Sequence, residues 1–147
     1  MELQTQAETI VYLILAACLS ALIGMDRERV ATAAGLRTHM LVGMGSCLFT
    51  ALSLHAFPGS ETSRVAAQIV TGIGFLGAGV IVERKHGVHN LTTAASIWVT
   101  AAIGMAVGAG AWLVAIGVTV MIWIILVIIR RAEVRKKPNQ PEGLHQG

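Results

Sequence analysis

The chain has 147 residues, of which 54% are hydrophobic and only 13% are charged. Soluble domains carry about 25% charged residues, so this composition argues against a soluble enzyme or a disordered protein. Only 5% of the residues are aromatic, whereas 16 are glycines, which is typical of helices that pack closely in a lipid bilayer. The net charge of +3 does not indicate a nucleic-acid partner, because the basic residues separate long uncharged runs instead of forming one patch. Cys18 and Cys47 both lie in apolar runs and are too few for a disulfide framework or a zinc site.

The uncharged runs predict an all-α integral membrane protein built as a bundle of five transmembrane helices. A spanning helix needs about 20 residues, and the run 86–129 is long enough for two, which we expect to meet at Gly108-Ala109-Gly110 because glycine tolerates the angles of a tight turn. The predicted spans are 8–25, 38–57, 64–82, 91–108 and 111–130. They form one membrane domain, 1–131, and a basic polar tail follows at 132–147.

The positions of lysine and arginine predict the orientation. Only Arg64 lies on one side of the five spans. The basic residues on the other side are Arg27, Arg29, Arg37, Arg84, Lys85, Arg130, Arg131, Arg135, Lys136 and Lys137. Because positive charge collects in cytoplasmic segments, we expect the N-terminus outside and the C-terminus in the cytoplasm. No lysine or arginine precedes Arg27, so the first run is interpreted as a span and not as a cleaved signal peptide.

Polar side chains collect at the predicted cytoplasmic ends of the spans. Arg27 and Glu28 share a helix face with Gly24, and we expect these two side chains to pair. Arg37 and His39 enter the second span together; Arg37 either anchors the helix or binds an acidic group or a carbonyl, and His39 is either a hydrogen-bonded core group or a sensor. The predicted functional cluster consists of Asp26, Arg27, Glu28, Arg37, Thr38, His39, Thr92 and Thr93.

Small residues predict the surfaces on which the helices pack. The glycines of the third span match G-x-G-x-x-G, but a dinucleotide site requires a strand before this motif and a soluble helix after it. The glycines of this span therefore indicate either close packing of the helix against a neighbour or a locally broken helix. Polar and small residues recur at every fourth position of the fourth span, which packs either within the chain or against a second copy. The predicted packing residues are Gly24, Gly72, Gly74, Gly77, Gly79, Ser96, Thr100, Gly104 and Gly108.

The sequence offers little for catalysis or ion transport. No Asp, Glu, Lys or Arg lies near the middle of a predicted span, where proton relays and cation pathways place ionisable groups. No arrangement of nucleophile and base is visible, so we do not expect an enzyme. We expect no cofactor, although the carboxylates of Asp26, Glu28 and Glu83 could bind Mg²⁺ through water on the inner side.

Four motifs resemble the MgtC/SapB family of bacterial inner-membrane proteins, and the resemblance covers residues 8–130. They are QIVTGIGFLGAG (68–79), LTTAASIW (91–98), Gly24-x-x-Arg27-Glu28 and Gly35-Leu36-Arg37-Thr38-His39. The resemblance implies a multi-pass inner-membrane protein linked to magnesium limitation, survival of acid stress and growth of pathogens inside macrophages. It also implies a regulator of other membrane proteins, because virulence-associated members of the family are associated with ATP synthase and with small membrane peptides.

This chain departs from the family pattern at several positions. His89 and Asn90 stand where the family usually has glycine. By the same resemblance, Thr92 and Val99 stand where virulence-associated members have Asn and Cys. Those members also carry a cytoplasmic C-terminal domain, which we do not expect here, so the resemblance is nearer to the short SapB-like members.

The leading hypothesis is a small regulatory or adaptor protein that contacts other inner-membrane proteins through its helices, without a nucleic-acid partner, and that forms a homo-oligomer. Its motivation is the small-residue faces and the absence of charge within the spans. The alternative hypothesis is an oligomeric transporter or channel subunit for Mg²⁺ or protons.

Overall fold

The computed structural model describes residues 1–57, 61–84 and 87–136. Five helices and one short β-hairpin follow one another along this part of the chain. In chain order they are α1 (Leu3–Arg29), α2 (Leu36–His55), α3 (Thr62–Val80), β1 (Val82–Arg84), β2 (Gly87–His89), α4 (Leu91–Gly108) and α5 (Trp112–Lys136). The helical architecture predicted from the uncharged runs is therefore confirmed.

The observed helix boundaries agree best with the predicted ones where glycine or a polar residue interrupts the apolar sequence. Helix α4 begins at Leu91 and ends at Gly108, as predicted, and the next turn includes Gly110 with a positive φ of 79°. Helix α5 continues to Lys136, past the predicted domain boundary at 131. The rest of the predicted tail, 137–147, and the predicted inner charge Lys85 lie outside the described residues.

The hairpin between α3 and α4 was not expected from the sequence. Strand β1 pairs antiparallel with β2, with Val82 opposite His89 and Glu83 opposite Val88. The side-chain amide of Asn90 donates to the Val80 carbonyl over 3.0 Å and so ties the start of α4 to the end of α3. Such short strands give no recognisable alternation in a sequence, because strands usually need four to eight residues to show one.

Among the described residues, four helices are long and apolar enough to cross a membrane, namely α1, α3, α4 and α5. Helix α2 has 20 residues, but its serine, threonine and histidine residues keep it below the apolar character of the other four. Length and composition therefore identify four spans and not the predicted five. The chain is a membrane protein on this evidence.

Helix α2 lies between α1 and α4. Its first residue, Leu36, lies against Gly24 of α1, and Gly43 lies against Ser20 of α1, so residue numbers run in opposite directions and these two helices are antiparallel. Gly104 of α4 packs against Gly43 and Gly108 packs against Cys47, so residue numbers rise together and α2 and α4 run parallel. Half of the spanning window of α4 is buried, against 11% for α5, which places α4 at the centre of the bundle.

Two apolar clusters flank α4. The first joins α1, α2, α4 and α5 and consists of Ala16, Leu19, Ile23, Cys47, Ile103, Val107 and Ala115. The second joins α3 to α2 and α4 and consists of Ala34, Val42, Ile69, Ile73, Ile97 and Ala101. Both clusters pack small residues against β-branched ones, which lets the helix axes approach closely.

Candidate functional site

A buried ion pair lies near the end of α1. Arg27 is 5% exposed and Asp26 is 3% exposed. Nε of Arg27 donates to Oδ2 of Asp26 over 3.1 Å, and Nη2 of Arg27 contacts the same oxygen. The predicted pairing of Arg27 with Glu28 is therefore wrong. Burial explains the choice, because a buried guanidinium without a counter-charge is strongly destabilising and Glu28 lies on the exposed side of the helix.

Glu28 instead binds the start of α2. Its Oε2 accepts a hydrogen bond from the Leu36 backbone N–H over 2.6 Å, and so satisfies one of the N–H groups that a helix start leaves unpaired. The negative charge also favours this end of the helix dipole. A Cβ at Gly35 would lie 2.8 Å from the same oxygen, so the lack of a side chain there leaves room for the carboxylate.

His39 links α2 to α4 and is fully buried. Its Nδ1 lies 2.9 Å from the Gly35 carbonyl, and its Nε2 lies 3.0 Å from Oγ of Ser96. Oγ of Ser96 also lies 2.8 Å from the Thr93 carbonyl, to which it can donate. Because Nδ1 must donate to Gly35, the single hydroxyl proton of Ser96 goes to Nε2 when the ring is neutral and to Thr93 when it is protonated. Of the two sequence alternatives for His39, the geometry fits a hydrogen-bonded core group.

We call Asp26, Arg27, His39, Thr93 and Ser96 the inner polar cluster. A Cβ at Gly24, one turn before Arg27, would lie 3.1 Å from Cβ of His39, so the ion pair and the histidine lie at the same contact between α1 and α2. All five side chains are buried, and they come from the end of α1, the start of α2 and the start of α4. The cluster therefore lies where these three helix ends meet, and its His39–Ser96 hydrogen bond joins α2 to α4.

Three other predicted site residues face outward. Arg37, Thr38 and Thr92 are exposed, and Arg37 forms no hydrogen bond or ion pair with the described part of the chain. Arg37 and Thr38 line a polar pocket of about 340 Å³ together with Glu28 and Thr32. The structure therefore divides the predicted cluster into a buried part that joins helices and an exposed part that borders a pocket.

The predicted packing glycines behave differently in the different helices. Gly24 packs against α2, since a Cβ there would lie 2.8 Å from Leu36 Cα. Gly104 and Gly108 lie directly against backbone carbonyls of α2, with Gly43 Cα at 3.0 Å from a Cβ at Gly104. These contacts are made within the chain. Ser96 and Thr100 of the same stripe are buried as well.

The glycines of α3 make little use of their small size within the chain. A Cβ at Gly77 would lie 3.8 Å from Ala94, which is ordinary contact with α4. Among the described residues, nothing outside α3 lies within 4 Å of a Cβ at Gly72, Gly74 or Gly79. The close packing that the sequence predicts at these three positions is therefore not made inside this part of the chain, because α3 touches its neighbours with its Ile69 and Ile73 face and the three glycines lie to either side of that face.

Gly43 of α2 is the packing residue that the sequence analysis missed. It lies between Gly104 of α4 and the hydroxyl of Ser20, which is buried and has no hydrogen-bond partner among the described residues. The signal was present in the spacing of His39, Gly43, Ser46 and Thr50, since small and polar residues at steps of four and three form one helix face.

The carboxylates that were considered for Mg²⁺ do not come together. Asp26 is buried beside Arg27, Glu28 binds the start of α2, and Glu83 lies in β1. Within residues 1–57, 61–84 and 87–136, no three His, Cys, Asp or Glu side chains form a group that could hold a metal ion.

The family model described as the MgtC family matches residues 13–135. The chain belongs to the MgtC family. The matched segment contains the inner polar cluster and all five helices, apart from the first turns of α1 and the last residue of α5.

Relatives of the MgtC family chain are found in several bacteria. YhiD of Escherichia coli strain K12, whose name proposes a magnesium transporter, is 47% identical over 88% of this chain and 64% of its own length. The protein MgtC of Salmonella typhimurium strain 14028s is 41% identical over 91% of this chain and 58% of its own length. The chain thus spans less than two thirds of these relatives. No solved structure gives a significant match.

Proposed function

We propose that this MgtC family chain is a regulatory or adaptor protein of the bacterial inner membrane that contacts other membrane proteins during adaptation to magnesium limitation. The observation that carries the proposal is the division of the polar residues. Asp26, Arg27 and His39 are engaged inside the bundle, whereas Arg37 and Thr38 lie exposed beside a polar pocket. An exposed cation and hydroxyl at a helix start suit contact with an acidic or carbonyl group of a partner.

The magnesium link comes from the relatives, since one of them is named for magnesium transport. Roles in acid stress and in intracellular survival, and ATP synthase or small membrane peptides as partners, follow from the family resemblance. The exposed part of the predicted cluster, with Glu28, Arg37, Thr38 and Thr92, is the surface that we expect such a partner to contact.

Growth at limiting magnesium tests this function. A bacterial strain without its own MgtC family genes would express the chain, the Arg37→Gln variant or the Arg64→Gln variant. Both arginines are exposed, but they lie at the starts of α2 and α3, at opposite ends of the bundle. We expect Arg37→Gln to abolish the growth advantage and Arg64→Gln to keep it, at equal amounts of protein in the membrane. Equal growth of the two variants would show that the exposed surface around Arg37 is not the functional one.

A transporter or channel subunit for Mg²⁺ or protons is the second candidate, and the name of the Escherichia coli relative favours it. The close contacts of Gly43 with both Ser20 and Gly104 leave little space for an ion between α1, α2 and α4. Liposomes that contain only the purified chain separate the two functions. The adaptor predicts no Mg²⁺ uptake above that of empty liposomes, whereas a saturable uptake would establish transport.

A further inference from the structure

A stripe on α3 is unused within the described chain. Gln68, Gly72, Phe75 and Gly79 follow one another at steps of four, three and four residues, so they lie along one side of the helix. All four positions are exposed, and Phe75 is 82% exposed. Steps of four and three are the spacing with which one helix packs along another. We call these four residues the α3 stripe.

A groove runs beside the α3 stripe, between α2 and α3. It has a volume of about 480 Å³. The residues that line it include Leu41, Gly45 and Phe49 of α2 and Gln68, Gly72 and Leu76 of α3. Because two glycines lie on its walls, a neighbouring helix could approach both α2 and α3 closely.

The amide of Gln68 distinguishes this surface from an ordinary lipid-facing one. Gln68 lies within the spanning window of α3, and its side chain makes no hydrogen bond with the described residues. An amide that faces hydrocarbon without a hydrogen-bond partner is strongly unfavourable. Lipid tails can fill the groove but cannot accept or donate a hydrogen bond. A protein partner is therefore the favoured occupant.

We propose that the α3 stripe packs against the α3 stripe of a second copy, with the two Gln68 side chains hydrogen-bonded to each other. An amide carries both a hydrogen-bond donor and an acceptor, so the Gln68 amides of two copies related by a two-fold axis can each donate to and accept from the other. Gly72 and Gly79 meet open space within the chain and allow the two backbones to approach. This dimer goes beyond the proposed adaptor function and does not depend on it, because it uses a different helix face from the exposed part of the predicted cluster.

Disulfide cross-linking of the full chain in vesicles that contain no other protein tests the dimer. The exposed Cys18 is first replaced by serine, and the buried Cys47 is kept. Gly72→Cys is compared with Gly74→Cys, since both positions have open space within the chain but lie on opposite sides of α3. We expect oxidation to produce a cross-linked dimer with Gly72→Cys and not with Gly74→Cys.

The role of the amide is tested in the Gly72→Cys background. An interhelical side-chain hydrogen bond in a membrane contributes about 1 kcal/mol, so Gln68→Leu is expected to weaken dimerisation about fivefold. Thr71→Ala is the control, because the Thr71 hydroxyl already donates to the Ala67 carbonyl of its own helix over 3.0 Å. Equal cross-linking of Gly72→Cys and Gly74→Cys, or none with Gly72→Cys, would overturn the proposal. The latter result would leave the groove to a different membrane segment.

Discussion

The ion pair of Arg27 shows how a single residue can belong to the fold and to a candidate site. Spacing on a helix predicted Glu28 as its partner, because Arg27 and Glu28 lie three and four residues after Gly24 and so share one face with it. The observed partner is the adjacent Asp26, which is buried with it. Burial decided the pairing here, and burial depends on how α1 packs against α2 and α4, which the sequence of one helix does not contain.

Replacing Arg27 by alanine should strongly destabilise the protein. The change removes the guanidinium that pairs with the buried Asp26 carboxylate, and the loss of one partner of a buried pair costs about 3–5 kcal/mol. Arg29→Ala is the matched control, because Arg29 is exposed in the same helix turn and is expected to change stability by about 0.5 kcal/mol or less. Unfolding of the purified variants in detergent would measure both. Similar stabilities for the two variants would contradict the structural importance of the pair.

At the scale of the helices, the sequence predicted the extent of the elements better than their contacts. The boundaries of α4 agree because Asn90 and Gly110 interrupt the apolar sequence on either side. The contact partner of Gly104 was left open between this chain and a second copy, and the structure gives it to Gly43 of the same chain. Glycines reveal that a close approach is possible, whereas the neighbouring helix is chosen by the whole bundle. In the same way, the glycines of α3 predict close packing but do not identify the partner, and Gly72, Gly74 and Gly79 have no close neighbour outside α3 among the described residues.

Gly104→Ala should separate α2 from α4. The new Cβ would overlap the Gly43 carbonyl oxygen, and the resulting strain is expected to cost about 1–3 kcal/mol. Gly74→Ala serves as the comparison, because its Cβ meets open space, and alanine favours the helix by up to about 1 kcal/mol over glycine. Detergent unfolding of each variant gives the two values. A stable Gly104→Ala variant would show that α2 and α4 are farther apart than the structure has them.

At the scale of the molecule, the parallel course of α2 and α4 supports five crossings. Two parallel helices that are joined through α3 require α3 to return in the opposite direction. We therefore propose that α2 also crosses the membrane, covered by α1 and α4, although its own composition falls short. The basic residues favour an outer N-terminus and a cytoplasmic C-terminus for this arrangement.

Cysteine labelling from outside the cell tests the orientation. In a Cys18→Ser background, we expect an impermeant maleimide to label Glu2→Cys and Ala109→Cys in intact spheroplasts. It should label Ala33→Cys only after permeabilisation, because Ala33 lies in the loop between α1 and α2. All three positions are exposed in the structure, so burial does not hide them. The opposite pattern would invert the orientation, and labelling of Glu2→Cys together with Ala33→Cys would mean that α1 does not cross.

The polar character of α2 also has a consequence for the order of membrane insertion. During synthesis α2 leaves the ribosome after α1 but well before α4, which carries the serine that binds His39 and the glycines that fit beside Gly43. The newly made α2 is therefore covered by only one of its two neighbouring helices, α1, and its imidazole and hydroxyl groups face lipid or the insertion machinery. Its stable position depends on Ser96, which is translated 57 residues after His39, so we expect α1 and α2 to enter the bilayer as a provisional hairpin that α4 completes.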